Sequence, residues 1–207
     1  MILLNKDAVP LASSQERVEG LHRALISVHQ NSIEGDFVEC GVYKGGNPII
    51  AKKFFDSVGL NKKVYCYDTF EGMTPPSDND GDNARKNWNN KAKCEANLNE
   101  VKTNFKTHNC LDDNVKFIVG DVCKTLRTEE NLPKKISILR LDTDFYESTK
   151  LELEILFPLL VKDGFLIIDD YGHWQGCQQA VDEYFSKDFV ENKFERLDYT
   201  GIMYRKA

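Results

Sequence analysis

Several features that would assign the chain to a specialised class are missing from its sequence. No run among its 207 residues approaches the roughly 20 apolar residues that a membrane-spanning helix needs, and the first residues lack the basic segment and apolar core of a signal peptide. The six cysteines form no C-x-x-C pair and show no zinc-type spacing. A formal net charge of -6 offers no basic surface for nucleic acid. We therefore expect a cytoplasmic protein with neither a membrane nor a nucleic-acid partner.

Apolar segments of strand character alternate with amphipathic helical segments along the whole chain. The strand-like segments are GDFVECGVY, KKVYCYDTF, VKFIVGDV, ISILRLDTD and GFLIIDDY, and FERLDYTGIMYRK closes the chain as a hairpin-like pair. Such alternation predicts an α/β fold of Rossmann-like type: a mostly parallel central sheet, helices on both faces and an antiparallel C-terminal strand. Since no repeat or linker interrupts the pattern, residues 1–207 are predicted to form one domain.

Two further segments have their own signals. An N-terminal helix is predicted over residues 12–30, where Val18, Leu21 and Leu25 recur at helical spacing. The polar segment 74–90 is rich in turn residues and long for a loop inside a compact domain. Because loops of this length often close over a ligand, we expect residues 74–90 to act as a lid.

The first predicted strand runs into a glycine-rich turn, FVECGVYKGGN. Gly41, Gly45 and Gly46 permit a tight turn and a close approach to a ligand. Their spacing, G-x-x-x-G-G, differs from the G-x-G-x-x-G of dinucleotide folds, and Tyr43 lies where a pyrophosphate needs bare backbone. Glu39 would repel a phosphate and suits a cationic or amine-bearing ligand. The alternative is a tight turn with an incidental glutamate.

The second and third predicted strands end in aspartates that suit a nucleoside. Asp68 lies where an acid accepts hydrogen bonds from ribose hydroxyls, and Asp121 suits an adenine amino group. The alternative for either residue is to cap the helix that follows it. Together with the glycine turn, the acids predict a nucleoside pocket without a phosphate, as S-adenosylmethionine requires. The predicted donor-site residues are Glu39, Gly41, Tyr43, Gly45, Gly46, Asp68, Thr69, Phe70, Gly120 and Asp121.

The fourth and fifth predicted strands also end in carboxylates. Asp142 and Asp144 follow ISILRL, and Asp169 and Asp170 follow GFLII. One helix and two turns separate the two groups, as expected for neighbouring parallel strands, so they should converge at one edge of the sheet. A cluster of oxygen ligands there favours a divalent cation such as Mg²⁺. The alternative is that one member of each pair caps the next helix, a role for which Asp144 is the candidate.

Four motifs in the chain can be compared with a known family: FVECGVYKGG, YDTFEGM, LRLDTDFYEST and DGFLIIDDYGHWQGCQQAVDEYF. They resemble the macrocin O-methyltransferase family over about residues 13–185. The resemblance implies a class I methyltransferase fold, S-adenosylmethionine, Mg²⁺ and an O-methylated sugar. It also implies that Asp142, Asp169 and Asp170 bind the metal ion. The chain departs from the pattern by a shorter N-terminus and by its own polar segment after Met73. These regions resemble the ones that shape the acceptor pocket in the family, so the resemblance does not identify the acceptor.

The predicted reaction needs an activated hydroxyl. A metal ion bound to two vicinal hydroxyls would orient the acceptor and lower the pKa of the reacting group. Asp142 is the predicted general base, and His173 is the alternative. Trp174 and Tyr171 are predicted to stack against a sugar, unless they only pack beneath the loop. The predicted partner is a small-molecule acceptor, a sugar or glycoside, and the sequence leaves a homo-oligomer open.

Three other interpretations fit part of the sequence. A metal-dependent hydrolase accounts for the aspartates but not for Glu39, the glycine turn or Asp68. A nucleotide-dependent oxidoreductase accounts for the sheet but not for the glycine spacing. A methyltransferase that acts on a non-sugar diol or a phenol would use the same vicinal oxygens, and it shares the predicted donor site.

Overall fold

The computed structural model describes residues 9–10, 12–89 and 94–207. Within these residues the strands are β1 (Asp36–Cys40), β2 (Val64–Asp68), β3 (Val115–Val119), β4 (Ile136–Leu141), β5 (Leu160–Ile168), β6 (Glu195–Arg196) and β7 (Ile202–Arg205). The helices are α1 (Gln15–Gln30), α2 (Gly46–Ser57), α3 (Gly81–Asn89), α4 (Leu98–Thr107), α5 (Val122–Thr125), α6 (Tyr146–Leu156), α7 (Gln175–Phe185) and α8 (Lys187–Lys193). Short 3-10 turns occupy Asp78–Asp80, Glu129–Asn131 and Phe157–Leu159.

The described strands form one sheet in the order β3-β2-β1-β4-β5-β7-β6. The first five strands pair in parallel, whereas β7 is antiparallel to both β5 and β6. The strand order reverses direction between β1 and β4, so a crevice opens at their carboxyl ends. The predicted fold class, a mostly parallel sheet with an antiparallel C-terminal strand, is confirmed.

Alternation along the strands gives the sheet an apolar layer on each face. Phe37, Ile138 and Ile167 pack with α1, α2 and α4 on one face, while Val38 and Leu139 pack with α6 and α7 on the other. All five side chains are buried. Because the central strands are covered on both faces, their sequences are nearly continuous apolar runs.

The two further predicted segments take defined structure. The N-terminal helix begins at Gln15, later than the predicted start, because the hydroxyl of Ser14 accepts a hydrogen bond from the amide of Arg17 (3.1 Å) and caps it. The segment predicted as a lid contains the turn Asp78–Asp80 and α3, and its last residue, Asn90, lies outside the described residues. Its lid function stays a prediction. No helix in the described ranges is long and apolar enough to cross a membrane.

Candidate functional site

A cavity of about 350 Å³ opens at the carboxyl ends of the parallel strands. Ligand sites in open α/β sheets lie at this edge, and the volume is typical of a small-molecule pocket. Its walls include these predicted residues: Gly41, Tyr43, Asp68, Thr69, Gly120, Asp121, Asp142, Asp169, Asp170 and His173. Arg17, Cys94 and Tyr199 also border the cavity, although no sequence pattern had singled them out.

The turn after β1 depends on two glycines. Gly41 has a φ of 79°, and a Cβ there would lie 1.9 Å from the main-chain oxygen of Asp142, so the residue must be glycine. Gly45 has a φ of 84° and forms the N-cap of α2. Gly45 and Gly46 are buried behind the turn and do not border the cavity. They shape the predicted donor site without facing it.

Asp68, at the end of β2, holds this turn in place. One carboxylate oxygen accepts hydrogen bonds from the amides of Val42 (2.8 Å) and Tyr43 (3.1 Å). The other accepts one from the amide of Phe70 (2.8 Å). Burial raises the pKa of the Asp68 carboxyl, while these hydrogen bonds oppose the rise. Asp68 therefore connects two loops of the cavity, and its contact with a ribose stays a prediction.

Two further predicted donor-site residues lie away from the cavity. Glu39 is 1% exposed and forms an ion pair with Arg140, because strand alternation turns it toward the α1 and α2 face. Its Oε1 also accepts from the side-chain amide of Asn47 (3.2 Å), and its buried Oε2 has no partner among the described residues. Phe70 packs edge-on against Phe117 in the core, with ring centroids 6.1 Å apart. Both residues support the cavity wall from behind.

Asp121 takes the capping role that the sequence had left as an alternative. Its side chain accepts a hydrogen bond from the amide of Cys123 (2.9 Å) and caps α5. It follows Gly120, which has a φ of 132° at the end of β3. Asp121 and Gly120 both still border the cavity. Contact between Asp121 and an adenine stays a prediction.

Three carboxylates from two turns face one another at the cavity wall. Asp142, Asp144 and Asp170 each offer an oxygen, and these oxygens lie within 4.8 Å of one another. Asp170 Oδ2 is buried and has no hydrogen-bond partner among the described residues. An oxygen-only set with this spacing fits a divalent cation. Asp144 therefore belongs to the acidic cluster and does not cap α6, whose N-cap residue is Phe145.

Asp169, the remaining predicted metal ligand, faces two arginines. Its carboxylate forms ion pairs with Arg17 of α1 and with Arg140 of β4. Arg140, 2% exposed, also pairs with Asp142 (2.6 Å) and with Glu39. A buried guanidinium of this kind is tolerated only because carboxylates surround it. Asp169 thus lies beside the acidic cluster but outside it, and its contact with a metal ion stays a prediction.

Burial raises the pKa of three carboxyls at this wall of the cavity. Burial first, and then the charges of Asp144 and Asp142, raise the pKa of Asp170 well above its usual range. Burial also raises the pKa of Asp144 to about 6 and that of Asp169 to about 7. A cation bound among them would replace protons as the neutralising charge, so metal binding is expected to release protons.

His173 lies at the rim of the cavity and contacts two aromatic residues. Its Nδ1 forms a hydrogen bond with the hydroxyl of Tyr199, and its ring packs edge-on against Trp174 with centroids 4.5 Å apart. Trp174 in turn packs edge-on against Phe145 (5.8 Å), and the buried Tyr171 donates its hydroxyl to a carboxylate of α7 (2.7 Å). Neither Trp174 nor Tyr171 borders the cavity, so both pack beside it, and their stacking against a sugar stays a prediction.

Arg140 and Arg17 were not predicted as site residues. Arg140 carried a usable signal: a charge inside the apolar strand ISILRL must have a buried partner, and Asp142 is two residues away. Arg17 carried none. It lies on the polar side of an amphipathic helix, and only the packing of α1 against the sheet brings it to Asp169.

Comparison with protein families matches residues 8–206 to macrocin O-methyltransferase (TylF). A curated relative, 8-demethyl-8-(2,3-dimethoxy-alpha-L-rhamnosyl)-tetracenomycin-C 4'-O-methyltransferase from Streptomyces olivaceus, is 31% identical over 98% of this chain and 79% of its own length. Mycinamicin III 3''-O-methyltransferase from Micromonospora griseorubida is 29% identical over 93% of this chain and 76% of its own length.

Two solved structures have the same fold. The O-methyltransferase NovP superposes with a TM-score of 0.85 and 28% identity, over 94% of this chain and 81% of NovP. The calicheamicin methyltransferase CalS11 superposes with a TM-score of 0.73 over 90% of this chain and 77% of its own, and at 18% identity it supports the fold alone. Both the predicted family resemblance and the predicted methyltransferase fold are confirmed.

Proposed function

Since the chain belongs to the macrocin O-methyltransferase family, we propose that it methylates a hydroxyl of a sugar or glycoside beside a bound divalent cation. That it is an S-adenosylmethionine-dependent O-methyltransferase follows from its family and fold. The observation that carries the finer proposal is one shared cavity. The turn at Gly41, held by Asp68, and the acidic cluster of Asp142, Asp144 and Asp170 all border it. Neither a hydrolase nor an oxidoreductase accounts for that combination.

Residues at one end of the cavity suit the donor. Gly41 borders this end, where its lack of a Cβ lets the turn after β1 pack against the main chain of Asp142. Asp68 and Asp121 border the same end, where their carboxylates suit neutral hydroxyl and amino groups better than a phosphate. When bound, S-adenosylmethionine supplies an electrophilic methyl group. The turn at Gly41 and the carboxylates of Asp68 and Asp121 would hold it at this end of the cavity.

We assign the cation to Asp142, Asp144 and Asp170. When bound, a divalent cation supplies positive charge that lowers the pKa of an acceptor hydroxyl and orients vicinal oxygens. The chain fixes the carboxylates for this task. Arg140 donates a hydrogen bond to Asp142 (2.6 Å), and Thr143 donates to both oxygens of a buried glutamate of α6 (3.0 and 3.1 Å). These hydrogen bonds fix the turn that carries Asp142 and Asp144 to β4 and to α6.

Asp142 is the proposed general base. Its side chain is 28% exposed and borders the cavity, so a proton released by the acceptor can reach it. Arg140 keeps the carboxylate oriented. His173 is the alternative base, but it lies at the rim, where its Nδ1 is engaged by Tyr199.

The relatives indicate the class of acceptor. The tetracenomycin enzyme is named for a rhamnosyl-bearing compound and a 4' oxygen, and the mycinamicin enzyme for a 3'' oxygen. We propose that this chain likewise takes a glycosylated small molecule with vicinal hydroxyls. Met73, Thr74, Cys94 and Tyr199 border the cavity on loops outside the strands, so they are placed to select the acceptor.

Calorimetry and a transfer assay together test the proposal. The chain is titrated with S-adenosylmethionine and S-adenosylhomocysteine, in Mg²⁺ and in EDTA, and then assayed with rhamnosylated and unglycosylated forms of one acceptor scaffold. We expect both nucleosides to bind in either condition and transfer to require both the glycoside and the cation. Equal transfer in EDTA would remove the metal from the proposal, and transfer to the unglycosylated form alone would remove the sugar.

A further inference from the structure

A buried aspartate connects the segment after β2 to a distant helix. Asp80, 3% exposed, ends the short turn Asp78–Asp80. Its Oδ2 accepts hydrogen bonds from the amide (2.7 Å) and the hydroxyl (2.8 Å) of Ser77, which hold the carboxylate in place. Its Oδ1 accepts one from the amide of Tyr146 (2.7 Å), the first residue of α6.

α6 depends on this remote residue for its cap. The first amides of a helix have no partner inside the helix, and the N-cap residue of α6, Phe145, makes no side-chain cap. Asp80 supplies the missing acceptor and places a negative charge at the positive end of the helix. α6 directly follows the turn that carries Asp142 and Asp144. The position of that turn is therefore tied to Asp80.

The first turn of α7 lies against the same carboxylate. A Cβ on Gly176 would lie 1.8 Å from Asp80 Oδ1 and 3.0 Å from the amide nitrogen of Tyr146. Gly176 does not have a positive φ, so its lack of a side chain serves this close approach and not a special backbone conformation. α7 follows the turn that carries Asp170. Both acidic turns thus continue into helices that meet at Asp80.

We propose that Asp80 is a positioning residue for the acidic cluster. By contacting the starts of α6 and α7 together, it sets the distance between the turn of Asp142 and Asp144 and the turn of Asp170. Asp80 itself does not border the cavity and offers no ligand. The inference rests on the proposed function, since it assigns Asp80 to the same cation. Small changes in ligand spacing matter there because Mg²⁺ demands nearly ideal geometry.

Metal titration of the full chain tests the proposal without relying on activity. Mn²⁺ binding is followed by electron paramagnetic resonance and calorimetry in the absence of acceptor. Asp80→Ala is expected to weaken Mn²⁺ binding about tenfold or more, as the loss of a supporting contact does at other metal sites. Asp80→Asn keeps an acceptor for the Tyr146 amide, so we expect a smaller loss. S-adenosylhomocysteine affinity, measured in parallel, is expected to stay unchanged.

Two further variants complete the design. Asp78→Asn is the matched control, because Asp78 lies in the same turn but is fully exposed and pairs with Arg85 at the surface (2.5 Å); its Mn²⁺ affinity is expected to equal that of the unmodified chain. Gly176→Ala leaves Asp80 in the sequence and raises the helix propensity of α7. Because its Cβ displaces the Asp80 carboxylate, it is nevertheless expected to weaken Mn²⁺ binding.

The possible outcomes are distinct. Unchanged Mn²⁺ affinity in folded Asp80→Ala would overturn the role of Asp80 and leave the proposed cation intact. Equal losses of Mn²⁺ and S-adenosylhomocysteine affinity would make Asp80 a residue of general fold maintenance, against the proposal. If the unmodified chain binds no Mn²⁺, the proposed cation is wrong and the positioning role is overturned with it.

Discussion

Arg140 and Glu39 are neighbours in register on two parallel strands and form an ion pair inside the sheet. Each is at most 2% exposed. From β4 the same guanidinium reaches Asp142 and Asp169. Arg140 therefore links the strand beneath the glycine turn to both turns that carry acidic residues, and the two halves of the cavity share one buried charge.

Removing this charge is expected to destabilise the fold strongly. Arg140→Met removes the ion pairs of Glu39 and Asp142 and one of the two ion pairs of Asp169, and breaking a buried ion pair in this way costs about 3–5 kcal/mol. The free energy of unfolding, measured in urea by circular dichroism, checks the value. Arg205→Met is the matched control, since Arg205 is half exposed and pairs with Asp163 at the surface (3.0 Å), where a pair contributes at most about 1 kcal/mol. Equal effects of the two substitutions would contradict the account.

The proposed base can be tested by comparing two variants. Asp142→Asn is expected to lower kcat about 100-fold or more, because it removes both a proton acceptor and a metal ligand. His173→Gln is expected to lower kcat less than about tenfold, since His173 lies at the rim. Steady-state kinetics at saturating donor gives both values. The reverse ranking, with S-adenosylhomocysteine affinity intact in both variants, would make His173 the base.

Asp68→Ala is expected to weaken donor binding about tenfold or more, because three main-chain hydrogen bonds that fix the cavity loops are lost, each worth about 1 kcal/mol. Mn²⁺ affinity should not change. Calorimetry with S-adenosylhomocysteine provides the measurement. Asp36→Ala is the control: it loses one main-chain hydrogen bond from Lys63 (2.9 Å) at the opposite end of β1. A similar loss in both variants would mean that Asp68 has no special place in the donor site.

Stability is expected to fall as pH rises toward 8, in part because of Glu152. Burial chiefly raises the pKa of this carboxyl from 4.5 to about 8. Between these values the folded chain keeps a proton that the unfolded chain releases, so the contribution is fully present below pH 4.5 and is lost as pH rises through about 8.

The Glu152→Gln variant isolates that contribution. In the unmodified chain the hydroxyl of Thr143 donates to both carboxylate oxygens of Glu152 (3.0 and 3.1 Å). Gln keeps one acceptor for this hydroxyl but does not titrate. Urea unfolding at pH 5 and pH 8, in EDTA, should show a smaller pH difference in the variant, by a few kcal/mol at most given about 1.4 kcal/mol per pKa unit. If the variant shows the same difference in unfolding free energy between pH 5 and pH 8, ionisation of Glu152 does not destabilise the fold.

Metal removal should lower the melting temperature of the unmodified chain. A cation at 100 times its Kd stabilises the folded state by about 2.7 kcal/mol, and chelation removes that increment. Asp170→Asn is expected to have two opposite effects: it relieves repulsion within the acidic cluster in EDTA, and it abolishes the increment from Mg²⁺. Calorimetric melting with and without Mg²⁺ measures both. A full Mg²⁺ increment in the variant would exclude Asp170 from the site.

The alternation of apolar strands and amphipathic helices was sufficient to predict the sheet, its parallel core and the antiparallel closing strand. The same pattern predicted that aspartates after successive strands would meet, because parallel strands place their carboxyl ends at one edge. Asp68, Asp121, Asp142 and Asp170 do border one cavity. These features depend on periodicity and chain direction, which the sequence by itself determines.

Tertiary structure alone decided which charged groups face one another. Past the end of a strand the period-two alternation stops, so the direction of Asp144, which has a φ of 68°, and of Asp169 depends on the turn and on its neighbours. Arg17 forms an ion pair with Asp169, and Asp80 accepts a hydrogen bond from the first residue of α6, although each pair is far apart in the chain. Contacts of this kind join residues distant in sequence, and no local pattern records them.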